Sequence, residues 1–178
     1  DAAYYKACGG GVTFSGGEPL LQSAFLLEVL DMLPDVHKTI ETSAYAEAEV
    51  FDEVLERIDY FMMDVKLIDR EKHKKYTGVY NDRILRNAKA LMSSGKPHRL
   101  RVPLIPGVND TAENLEAMAW FVSSVNRNTP VELLPYHKTA GAKSEMVGME
   151  YKPIFDTERK VTTHLEIFKN YGLECSVL

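Results

Sequence analysis

Cysteine is scarce: Cys8 and Cys175 stand at opposite ends of a 178-residue chain. They form no CxxC pair and no zinc-finger spacing, which excludes a disulfide scaffold and a structural zinc site. A reducing, cytoplasmic compartment is the default expectation. Long apolar runs are absent, and nothing approaches the roughly 20 residues that a membrane helix needs, so no membrane partner is expected. Positive charge is in deficit: 21 basic against 26 acidic residues give a net charge of −5. Bulk attraction to nucleic acid is therefore not expected. No GxGxxG or GxxxxGKS phosphate loop occurs. The first residues hold neither an initiator Met nor an apolar leader. The sequence is accordingly read as part of a longer protein.

What is present is ordinary globular composition, 45% hydrophobic and 26% charged, arranged as short β-like runs alternating with amphipathic stretches. Strands are expected at Gly11–Phe14, His37–Glu41, Tyr60–Val65, His98–Ile105, Val131–Leu134 and Glu174–Leu178. Helices are expected at Ser23–Leu33, capped by Ser23 and with Phe25 in the apolar stripe, and at Ala46–Ile58, Asp69–Tyr76, Asn81–Ser93, Thr111–Val125 and Thr157–Tyr171. Strands separated by helices imply βαβ units and a parallel sheet in one α/β domain, residues 1–178.

Ligands of parallel α/β folds bind at the C-terminal ends of strands, and here those ends are polar. They read Ser15-Gly16-Gly17-Glu18, Glu41-Thr42-Ser43, Asp64-Val65-Lys66, Pro106-Gly107-Val108-Asn109-Asp110 and Pro135-Tyr136-His137-Lys138. Strand alternation puts Met62, Asp64 and Lys66 on one face and Met63 and Val65 on the other. Two charged groups cannot sit unpaired in an apolar core, so that face should be wet or filled by a ligand. The glycine pair lets a ligand approach the backbone, and the charge of Glu18 favours an ammonium over a phosphate. His37, His164 and the Lys72-His73-Lys74-Lys75 run read as solvated surface. Trp120 reads as core, and the two cysteines as free thiols.

The run from Gly10 to Pro19 closely resembles the GGE segment of radical S-adenosylmethionine enzymes, and more narrowly the activating enzymes of glycyl-radical enzymes, the pyruvate formate-lyase activating group. Glu41-Thr42-Ser43 resembles that family's acidic-Thr motif, and Asp64-Val65-Lys66 its Asp-aliphatic-Lys motif. Arg101 to Asp110 resembles its segment running from Arg to Pro-Gly-x-Asn-Asp. Leu133 to Lys138, with Gly141 and Lys143, resembles its Leu-Pro-Tyr-His segment. Five motifs in order cover about three quarters of the chain.

The resemblance implies a partial TIM-type (β/α) barrel with parallel strands, its first βα unit missing and an open sheet edge left at Gly11–Phe14. It implies S-adenosylmethionine held by Gly16, Gly17, Glu18, Asp64, Lys66, Arg101 and His137, and a monovalent cation held by Glu41, Thr42, Met62 and Asp64. It implies a [4Fe–4S] cluster that reductively cleaves the cofactor to make a glycyl radical on a partner enzyme such as pyruvate formate-lyase, with flavodoxin or ferredoxin as electron donor. The family's CxxxCxxC cluster loop has no match here. The cluster is therefore expected only in the full-length parent, and this chain alone is expected to be inactive. The alternatives are another radical S-adenosylmethionine branch, such as a ribonucleotide reductase activase or a peptide-modifying enzyme, or a cluster-less S-adenosylmethionine-binding module.

Overall fold

A computed structural model describes residues 2–137, 148 and 153–178. The chain divides into two compact units, Asp1–Arg101 and Val102–Leu178. Every strand pair described is parallel. No pairing closes the strands into a ring among the described residues, so the α/β class and the open sheet agree with the sequence reading.

The first unit opens with helix α1 (Ala2–Cys8), which the sequence reading did not anticipate. Strand β1 (Gly11–Phe14) follows, then a 3₁₀ turn (Pro19–Gln22) and helix α2 (Ser23–Asp31). Ser23 is the first residue of α2 and not its N-cap, which is Gln22. The helical run starts earlier, at the 3₁₀ turn, where the Glu18 carboxylate accepts from the Leu20 N–H. Phe25 is 65% exposed, so it does not face the core as expected. Then come β2 (His37–Thr42), α3 (Ala48–Arg57), β3 (Tyr60–Asp64), α4 (Arg70–Thr77), α5 (Asp82–Ser93) and the start of β4 (His98–Leu104).

Register fixes which residues become neighbours. Gly11 stands beside His37, Glu41 beside Met62, and Asp64 beside Arg101. A Cβ at position 11 would lie 2.1 Å from the His37 carbonyl oxygen, so β1 approaches β2 this closely only with glycine there. Alternation then sorts the side chains. Ile40, Phe61, Met63 and Leu100 point to a face where each is 0% exposed, and Phe51 of α3 meets Phe61 ring to ring at 5.9 Å. Tyr60, Met62 and Asp64 point the other way and are half-buried. Two buried asparagines tie down the loops behind the polar strand ends. Asn87 donates to the Ala44 and Ala46 carbonyls at 2.8 and 3.1 Å, and Asn81 donates to those of Leu67 and Ile68 at 2.9 and 2.8 Å.

The second unit holds the rest of β4, then α6 (Ala112–Val125), β5 (Val131–Pro135), α7 (Leu165–Asn170) and β6 (Cys175–Val177). The expected helix from Thr157 shortens to six residues. His164 adopts a left-handed φ of 45°, which cannot continue a helix, and the Thr162 N–H is drawn to Asp110 at 3.2 Å. Trp120 is 62% exposed instead of buried. Its offset of five from Leu115 rotates it about 140° around the helix, away from the buried stripe. Among the described residues, no helix is long and apolar enough to cross a membrane.

Candidate functional site

In the first unit, the C-terminal ends of β1, β2 and β3 and Arg101 of β4 bring predicted polar residues together. Their hub is Arg101. Its Nε–H donates to Asp64 Oδ1 at 2.9 Å, and its Nη1 donates to Glu41 Oε1 at 2.9 Å. The same Nη1 lies 3.8 Å from Met62 Sδ. The Arg101 side chain is only 14% exposed. Burial is the largest single influence on it and would ease loss of its proton. The Asp64 and Glu41 carboxylates outweigh that and hold the guanidinium above the usual arginine range. Lys66 Nζ approaches Asp64 Oδ2 at 3.6 Å. Ser15, from the loop after β1, donates to Glu41 Oε2 at 2.7 Å. Two cations and two carboxylates thus interlock on one sheet face, as the alternation of Met62, Asp64 and Lys66 requires.

Glu18 is held by donors of its own chain. Its carboxylate accepts from Leu20 N–H at 3.2 Å, from Ser43 N–H at 2.8 Å, from Ser43 Oγ at 2.6 Å and from the Thr42 hydroxyl. Four donors match the capacity of an ionised carboxylate. Glu18 therefore staples the glycine loop to the end of β2. Thr42 is 4% exposed and its hydroxyl also accepts from Ala44 N–H at 2.8 Å. Gly16 has φ +132°, a conformation open to glycine, and a Cβ at Gly16 or Gly17 would meet no described heavy atom within 4 Å. The staple thus holds a stretch of backbone with open space before it.

A cavity of about 220 Å³ adjoins this cluster, lined by Glu18, Ser43, Asp64, Lys66 and His73 among others. His73 corrects the sequence reading of a solvated helix face, since it is 3% exposed. Its Nδ1 sits 2.8 Å from the Val79 carbonyl and 2.9 Å from Thr77 Oγ1. Burial lowers its pKa, with a smaller push from Lys66. The pattern that could have found it is the Thr77-Gly78 helix stop, which turns the chain back so that Val79 meets the ring. Gly78 has φ +83° and donates to Lys74.

The Pro106 to Asp110 segment also reads differently in three dimensions. Asn109 and Asp110 are 1% and 3% exposed. Asn109 accepts from Ile105 N–H at 2.6 Å and donates to the Pro103 carbonyl at 2.7 Å, while Asp110 accepts from Gly107 N–H at 2.6 Å. These side chains brace their own loop, a use that Asx-type turn chemistry explains. His137, after β5 in the second unit, is exposed. Lys138, Gly141 and Lys143 lie outside the described residues. Cys8 is exposed, whereas burial pushes the Cys175 thiol up to about 12, so it is a poor nucleophile and metal ligand.

With two cysteines in the whole sequence, the chain cannot supply the three thiolates of a CxxxCxxC loop, and its residues do not fit a [4Fe–4S] cluster. They do fit an amino-acid zwitterion. Arg101 keeps its Nη2 end, among the described residues, for a carboxylate.

Comparison with known proteins identifies the family. Residues 2–119 match the radical SAM superfamily. The chain is 46% identical over 180 residues to the 4-hydroxyphenylacetate decarboxylase activating enzyme of Clostridioides difficile, covering 94% of this chain and 55% of that protein. It is 38% identical over 157 residues to the pyruvate formate-lyase-activating enzyme of Staphylococcus epidermidis, covering 84% of this chain and 62% of that one. The crystal structure of a domain of pyruvate-formate lyase-activating enzyme from Bacteroides vulgatus superimposes with a TM-score of 0.75 at 32% identity, covering 95% of this chain and 99% of that domain. The chain spans 55% of the length of the first of these curated relatives, little more than half. A half-buried Arg-carboxylate hub, a glycine loop stapled beside it, and matches of this extent lead to one conclusion: the chain belongs to the radical SAM superfamily, and its relatives there are activating enzymes of glycyl-radical enzymes.

Proposed function

We propose that this chain is the cofactor-holding body of a radical S-adenosylmethionine oxidoreductase that activates a glycyl-radical enzyme. The observation that carries the reading is the half-buried Arg101 bridge to Asp64 and Glu41 beside the stapled Gly16-Gly17 backbone. Arg101 and Lys66 receive the methionine carboxylate, with the planar guanidinium fixing its orientation. Asp64 holds both cations in place. The Gly16 and Gly17 carbonyls take the ammonium, since Glu18 is occupied by four donors of its own chain.

Bound S-adenosylmethionine supplies a sulfonium whose one-electron reduction starts radical chemistry; the chain's task is to bind it, orient it and keep water away from it. The electron source is a cluster held outside this chain and fed by a flavodoxin- or ferredoxin-type donor. The partner is a glycyl-radical enzyme. The relatives' names point to different partners, a decarboxylase in one case and pyruvate formate-lyase in another.

The test uses the full-length protein with its cluster reconstituted, dithionite, S-adenosylmethionine and a candidate glycyl-radical enzyme. The reading expects 5′-deoxyadenosine together with a glycyl-radical signal in electron paramagnetic resonance. Cofactor cleavage without any glycyl radical on a panel of such enzymes would point to another radical S-adenosylmethionine branch. No cleavage at all would point to a binding module.

A further inference from the structure

The family resemblance assigns Glu41, Thr42, Met62 and Asp64 to a monovalent cation, and the geometry points to a different occupant: the Arg101 guanidinium is the cation of this seat, and the protein binds no sodium or potassium there. Both anionic members of the set are already bridged by Arg101, at 2.9 Å from Asp64 Oδ1 and 2.9 Å from Glu41 Oε1. Their second oxygens are engaged as well, Asp64 Oδ2 by Lys66 at 3.6 Å and Glu41 Oε2 by Ser15 at 2.7 Å. Met62 Sδ faces the same Nη1 at 3.8 Å. The Thr42 hydroxyl is committed to Glu18 and Ala44. It also belongs to the opposite strand parity from Glu41.

Charge leads to the same result. Two carboxylates face two fixed cations, so the seat is neutral before any ion arrives. A sodium or potassium ion entering there would sit against a guanidinium that cannot lose its proton. Reach explains why the arrangement closes. Glu41 carries one methylene more than an aspartate, which lets its carboxylate extend from β2 to Arg101 on β4 across the intervening β3.

The inference rests on reading this pocket as a cofactor site, but its test contains no cofactor, so failure of either reading shows separately. Thermal melts of the chain are compared in sodium, potassium and choline chloride at equal ionic strength, and sodium-23 relaxation is measured in parallel. A bound ion at ten times its dissociation constant would raise the melting temperature by about 3–6 °C. Wild type should melt alike in all three salts and show no saturable sodium relaxation. Arg101→Ala, which leaves two carboxylates without their bridge, should gain a saturable sodium or potassium response over choline, and Arg101→Lys should not. If Arg101→Ala does not fold, Arg101→Gln carries the same comparison. A saturable sodium or potassium response in wild type overturns the inference. So does an Arg101→Ala or Arg101→Gln variant that folds and remains indifferent to all three salts.

Discussion

The two faces of β2, β3 and β4 use alternate residues of the same strands for opposite purposes. On one, Ile40, Phe61, Met63 and Leu100 are fully buried. On the other, Glu41, Asp64 and Arg101 form a charged bridge with distances of 2.9 Å. The dry face supplies free energy through area removed from water, which is insensitive to small chemical changes but costly to hollow out. The bridged face carries charges whose pairing offsets desolvation and adds little net stability, yet a broken pair leaves a strandable charge. Changes to the first face should therefore act on melting, and changes to the second on binding.

The largest expected effect lies on the dry face. Phe61→Ala removes a fully buried ring that meets Phe51. It should cost about 3–5 kcal/mol, read as a shift in the midpoint of urea unfolding. A loss below about 1 kcal/mol would show that this face is not the core of the first unit.

Next comes the staple. Glu18→Gln puts an NH₂ against donors that now meet a carboxylate, Ser43 N–H at 2.8 Å and Ser43 Oγ at 2.6 Å on one oxygen, Thr42 and Leu20 on the other. The expected cost is about 1–3 kcal/mol, measured by thermal melting. An unchanged melting temperature would mean that the glycine loop is not held by Glu18.

A smaller effect concerns pH. His73 has a pKa lowered by burial, so the unfolded chain binds its proton more readily than the folded one. Stability is then fully present above the unfolded value of about 6.5 and falls as pH drops below it toward the folded pKa. Melting temperatures between pH 5 and 7.5 should show this slope in wild type and a flatter one in His73→Gln. Identical slopes would remove His73 from the acid response.

The sequence carried much of this comparison because strand alternation is a local rule. Tyr60 to Asp64 already placed Asp64 opposite Met63, and the polar strand ends already converged. What it could not carry is partner choice between a side chain and a segment outside its own element. Glu18 binds Thr42 and Ser43 because a two-strand register, invisible locally, brings them together. His73 lies in a Lys-rich run that looks solvated, yet the turn at Gly78 folds Val79 over it. The last helix shortens because Asp110, 52 residues earlier, captures the Thr162 N–H.

The most direct test of the central claim is binding of S-adenosylmethionine to this chain, followed by saturation-transfer NMR, which detects weak complexes, with melts alongside. Wild type and Val65→Ala, whose change falls on the dry side at a residue 1% exposed, should both bind, with Val65→Ala melting lower. Asp64→Asn, which loses the charge holding Arg101 and Lys66, should melt nearly as wild type and lose at least about tenfold in affinity, as expected for about 1.4 kcal/mol. Undiminished binding by Asp64→Asn with a normal melt would contradict the assignment of the polar face as the cofactor site.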